Sequence, residues 1–211
     1  MELSVLKSLR GIAPAILFSV LFAPLAPLLP SIPLKLPMPT EWGFLSAGAV
    51  IFAFIYATLP LREISNSEFH RRVRSNIDSR LWAIARGALP QPQGWTNREA
   101  MQVFYNLIDN DESLKTKTKN IYANGFLWTT AADLRFIGFC SLLIHLGYLL
   151  AMPNNLSVLG GIVLNLVALV LSYIMSETTT KKHISLGNEQ LDYIRVNLKV
   201  KLEEKLNLLG L

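Results

Sequence analysis

The side chains able to do chemistry are few and scattered. The three histidines, His70, His145 and His183, lie far apart, with no spacing that would gather ring nitrogens in one loop or on one helix face. The single cysteine, Cys140, sits in an apolar run, which excludes an intrachain disulfide and suits packing better than thiol chemistry. The acidic run Asp109, Asn110, Asp111, Glu112 resembles the opening of a calcium loop. That loop needs glycine at its sixth position and glutamate at its twelfth, where this chain has Leu114 and Asn120. No metal site and no cofactor are expected. G-x-S-x-G, H-E-x-x-H and the phosphate-binding glycine loop are also missing from the sequence, so no catalytic residue is assigned and an enzyme is not expected.

Three groups of residues are left as candidates. Residues 70–74 read His-Arg-Arg-Val-Arg, and Arg71, Arg72 and Arg74 could hold an acidic ligand or an acidic partner face. A basic segment held near anionic lipid accounts for them equally simply and is the preferred reading. His145 and Asn165 are the strongly polar side chains deep in a long apolar stretch. They suit a conducting or proton-relay position, or an interhelical hydrogen bond worth about 0.6–2 kcal/mol, and the packing role is preferred. Leu191, Ile194, Leu198, Leu202, Leu206 and Leu209 step by three or four residues along a charged segment, which makes one apolar stripe for assembly or docking. Lys115, Lys117 and Lys119 read as a solvated helix face, and Gly160-Gly161 as a close-contact point rather than a hinge.

The elements that must position these residues follow from the apolar runs. Residues 136–175 form two long runs free of Asp, Glu, Lys and Arg, joined by Pro153-Asn154-Asn155. Such runs match spanning helices, which need about 20 mostly apolar residues each. Residues 11–30 predict a first span, with Pro14 in its first turn and Pro24 and Pro27 kinking its outer half; a broken or partly re-entrant segment is the alternative. The order of Lys7, Arg10 and this run resembles a signal peptide, but the run is read as a retained segment. Residues 31–42 read as a proline-rich extended connector with Trp42 at the interface, and residues 43–61 as a second span.

Between the hairpins lies a polar insert. Residues 67–86 predict an amphipathic helix, 87–94 a break, and 97–108 a second helix opened by a capping box from Thr96 and Glu99. Residues 113–123 predict a third, stopped at Asn124-Gly125, with a new helix from Phe126 into the third span and Arg135 snorkelling at its rim. After the second hairpin, residues 177–183 mark the return to water, and Asn188 caps a final amphipathic helix.

The expected fold is therefore all-α: a four-span transmembrane helical protein with a cytoplasmic helical insert between spans two and three. Its parts are a first hairpin (1–61), the insert (62–135), a second hairpin (136–175) and a C-terminal amphipathic helix (176–211). Basic residues crowd the insert and the tail, whereas residues 31–42 contain only Lys35 and the 153–155 turn none, which places the insert and both termini in the cytoplasm. The net charge of +5 has the same origin, so direct nucleic-acid binding is not expected.

This layout of two spans, insert, two spans and tail resembles small four-span membrane proteins of bacterial anti-phage systems, such as the membrane subunit of Kiwa-type two-gene systems. The resemblance covers the whole chain as architecture and transfers no functional residue. It implies an inner-membrane component working in antiviral defence with a cytosolic protein partner. The expected function is a non-enzymatic sensor, scaffold or effector that contacts membrane lipid, self-associates as a homo-oligomer and engages that partner. The alternative is a small oligomeric channel or pore gated through the insert.

Overall fold

A computed structural model of the chain describes residues 3–28, 40–91 and 97–209, and the regular structure among them is helical. The helices are α1 (Leu3–Phe22), followed by a 3-10 segment (Ala23–Leu28), α2 (Thr40–Thr58), α3 (Leu61–Ser65), α4 (Ser67–Arg86), α5 (Asn97–Asp109), α6 (Glu112–Ala151), α7 (Leu156–Asn197) and α8 (Lys199–Leu208). Thr96 and most of the proline-rich connector lie outside the described residues, as does the side chain of Trp42. The chain forms two compact units, one of Met1–Asn66 with Phe126–Glu177, the other of Ser67–Gly125 with Thr178–Leu211.

Among the described residues, three helical stretches are long and apolar enough to cross a membrane: Ser8–Leu28, α6 and α7. Only 22%, 22% and 28% of their apolar windows are buried within the chain, so most of that apolar surface faces outward, as lipid contact requires.

In the first unit, α1 packs along α2, and Gly48 brings α2 against the Phe18 ring. Phe18 stacks on Phe22 and Phe52 at 4.3 and 4.8 Å between ring centroids. Leu21, Ile137 and Ala168 form the buried centre that joins α1, α6 and α7. The expected first-turn position of Pro14 does not hold: α1 begins at Leu3, so Pro14 is interior and cannot donate to the Arg10 carbonyl one turn back. Arg62 supplies the missing donor, with Nη2 3.1 Å from that carbonyl. Pro24 and Pro27 fall in the 3-10 segment, which takes over where α-helical bonding stops. The hairpin turn behaves as its residues require, since Asn155 Oδ1 accepts from the backbone N–H of Ser157 and Val158 and caps α7.

In the second unit, α4, α5 and α8 pack on one another. α4 buries Phe69, Val73, Ile77, Leu81 and Trp82, and α5 buries Ala100, Val103, Phe104, Leu107 and Ile108. α4 stops at Arg86 because Gly87 turns into the left-handed region at φ +65°. Asp111 starts α6, its Oδ1 accepting from the Leu114 N–H at 3.0 Å.

Two expected breaks are absent. α6 runs unbroken through Asn124-Gly125, because the Asn124 amide is committed to packing: its Nδ2 donates to the Thr179 carbonyl at 2.8 Å. α7 likewise runs unbroken through residues 177–188, and Asn188 is not a cap. Its Oδ1 accepts from Asn76 Nδ2 at 2.8 Å on α4, and the chain breaks instead at Leu198, between α7 and α8.

Candidate functional site

The most elaborate polar site in the first unit centres on Asp133. This residue lies on α6 and is wholly buried, although an ionised carboxylate in an apolar setting is costly unless paired. Arg62, from α3, meets it as a fork: Nε reaches Oδ1 and Nη2 reaches Oδ2, each at 2.7 Å. The Tyr56 hydroxyl, from the last turns of α2, donates to Oδ1 at 2.8 Å. The guanidinium also lies 5.7 Å from the Tyr56 ring centroid. One cation therefore ties α1 (through the Arg10 carbonyl), α2, α3 and α6 together.

A second tie lies beside the first. Ser65 donates to the Ala132 carbonyl at 3.0 Å, and Arg135 donates to the Ser65 carbonyl at 2.8 Å and to Ser176 Oγ on α7. Arg135 is thus engaged with protein groups. Sequence reasoning placed Arg135 at the rim of the third span and missed the clasp. The available signal was Asp133 as the one acid between Phe126 and Ala151.

His145 and Asn165 come together, on α6 and α7, around Gly161. Both are completely buried. His145 Nδ1 lies 2.8 Å from the Ser141 carbonyl, and Asn165 Nδ2 donates to the Gly161 carbonyl at 2.8 Å. The imidazole occupies the space a side chain at position 161 would need: a Cβ built there collides with the ring, whereas one built on Gly160 meets nothing. Ser141 Oγ donates to the Leu21 carbonyl at 3.1 Å and so brings the end of α1 to the same place.

In the second unit the apolar stripe is spent within the chain. Leu191, Ile194, Leu202 and Leu206 have no exposed surface and Leu198 is 7% exposed, so these five leave no free docking face. Leu209, at its end, is exposed. Arg80–Asp192 at 3.0 Å and Arg86–Asn207 at 2.6 Å fasten α4 across to α7 and α8. Arg71 and Arg74 are exposed on α4, whereas Arg72 is half-buried with its guanidinium 5.6 Å from the Phe69 ring centroid.

The charge is unevenly divided. The second unit holds fifteen Lys and Arg against ten Asp and Glu, and the first holds five of each, so the whole +5 belongs to the second unit. A groove of about 270 Å³ opens there between α5 and α8, with Leu107 and Leu198 among its lining and Asn106, Asn110, Lys201 and Lys205 around it. Beyond the apolar part of α7, burial together with the charge of His70 pushes the His183 imidazole down to about 4. Among the described residues no group of three His, Cys, Asp or Glu converges as a metal site would require.

Comparison with protein families, with curated proteins and with solved structures finds no match to this chain.

Proposed function

We propose that the chain is a non-enzymatic, four-span protein of the bacterial inner membrane whose second unit is a cytoplasmic helical platform for a soluble protein partner. The observation that carries this reading is the division of labour between the units. One is charge-balanced and turns apolar helices outward; the other has its own core and holds the entire positive excess. α2 supplies the remaining span in this reading: it is 19 residues long, packs on α1 and leaves Val50, Ile51, Phe54 and Ile55 exposed for lipid. Because the tail stripe is consumed inside the second unit, self-association falls to these outward apolar faces. A role in antiviral defence rests on the layout alone and is tested by phage plating with and without the gene.

The topology is tested in cells. A cysteine replacing Asn155, in a chain with Cys140→Ser, should react with an impermeant maleimide from outside. Cytoplasmic reporters inserted within residues 87–94 or after Leu211 should be active. Labelling of the 87–94 loop from the periplasm refutes the arrangement.

A channel is the second reading, favoured by one observation: the buried polar pair His145 and Asn165 among apolar helices. Recording in planar bilayers separates the two, because a scaffold passes no ion current.

A further inference from the structure

The site around Gly161 has a hydrogen-bond inventory that does not close. The Ser141 carbonyl can only accept, so the 2.8 Å contact requires the proton on His145 Nδ1 and leaves Nε2 of the neutral ring as a bare acceptor. Among the described residues Nε2 has no hydrogen-bond partner. Asn165 is oriented in the same way, since the Gly161 carbonyl needs a donor and takes Nδ2, which leaves Oδ1 unbonded as well. Two acceptors, on two helices and both completely buried, thus flank one glycine. The nearby hydroxyl cannot serve them, because Ser141 Oγ is given to the Leu21 carbonyl. Phe22, whose ring centroid lies 6.5 Å from that of His145, has no donor to offer them.

We propose that this is a binding site for one water molecule, which donates one hydrogen to His145 Nε2 and the other to Asn165 Oδ1. The chemistry selects that ligand. Two neutral acceptors with no carboxylate or thiolate in hydrogen-bond contact do not suit a metal cation. Complete burial keeps a side chain of another protein out. A small neutral molecule with two donors satisfies both atoms at once, and buried waters ordinarily make two to four such bonds. The water joins α6 to α7 where Gly161 lets the imidazole lie directly on the α7 backbone. The inference does not depend on either function proposed above.

The test uses the full-length protein in lipid nanodiscs, with ¹⁵N-labelled histidine and a perdeuterated background. The His145 signals are assigned by their loss in His145→Gln. The expected parent spectrum shows a neutral ring protonated at Nδ1, with Nε2 shifted toward the hydrogen-bonded acceptor position. It also shows a cross-peak from long-lived water to the Gly161 amide. Asn165→Leu should abolish the cross-peak and weaken the Nε2 shift. A parent ring with Nε2 at the free-acceptor position and no water cross-peak overturns the proposal, and so does a doubly protonated ring. The parent spectrum decides the matter even if Asn165→Leu fails to fold.

Discussion

Removing the carboxylate at position 133 should do more harm than removing the whole clasp. Asp133→Ala strands the Arg62 guanidinium, which has a quarter of its side chain exposed and three of its contacts within the site. Breaking a buried pair by deleting one partner costs about 3–5 kcal/mol. The partial exposure of Arg62 puts this case near the lower end, and the Tyr56 hydroxyl loses its acceptor for about 1 kcal/mol more. At roughly 2–4 °C per kcal/mol for a chain of this size, the midpoint of thermal unfolding should fall by about 6–16 °C. The double replacement Arg62→Met with Asp133→Leu removes both charges and keeps apolar volume, so it should recover most of that loss, the cycle showing a coupling of about 2–3 kcal/mol. Part of the deficit should remain, because the Arg10 carbonyl opposite Pro14 loses the donor that Arg62 provides. The assay is thermal unfolding in one detergent or nanodisc preparation, followed by circular dichroism for the parent, Asp133→Ala, the single variants Arg62→Met and Asp133→Leu that close the cycle, and the double variant. A parent-like Asp133→Ala, or a double variant as damaged as the sum of the singles, refutes the reasoning.

Adjacent glycines should respond in opposite ways. Gly161→Ala drives a methyl into the His145 ring and should cost at least about 1–3 kcal/mol of overpacking, while Gly160→Ala meets open space and should be neutral or stabilise α7 by up to about 1 kcal/mol, as thermal unfolding of the pair will show. Leu202→Ala, at a position with no exposed surface, should cost about 2–5 kcal/mol and raise hydrogen exchange in α4 and α5 while sparing α1 and α2. His183 makes the second unit sensitive to acid: its folded pKa lies below the unfolded value, so the unfolded chain binds the proton first. Its stability contribution is complete above about pH 6.5 and is lost as pH falls toward 4, by up to about 3 kcal/mol. Hydrogen exchange in that unit at pH 7.5 and pH 5 should show this loss, and His183→Gln should flatten it.

Much of the outline was legible without coordinates. Apolar runs of spanning length mark the helices that prove long and apolar enough to cross a membrane, because a bilayer imposes length and composition over some twenty consecutive residues. The helix Ser67–Arg86 and its stop at Gly87 could be read for a related reason: periodicity and a breaking glycine act over a few residues. The burial of Leu191, Ile194, Leu198, Leu202 and Leu206 follows from their spacing, since a stripe of that size is expensive to leave in water.

The tertiary structure decided what depends on distant partners. Asn124-Gly125 and Asn188 carry the local signature of helix ends, yet both lie inside continuous helices because Thr179 and Asn76 take up their amides. Arg62, Asp133 and Pro14 look unrelated in the chain. They become one site only when α3 and α6 bring a cation to a buried acid and to the carbonyl that a proline left without a donor. His145, Gly161 and Asn165 are similar: the residue types announced a polar contact, but which atoms stay unpaired depends on the register of α6 against α7. Local sequence sets where a helix can form, and the side chains across from it decide where it stops and what its buried polar atoms must find.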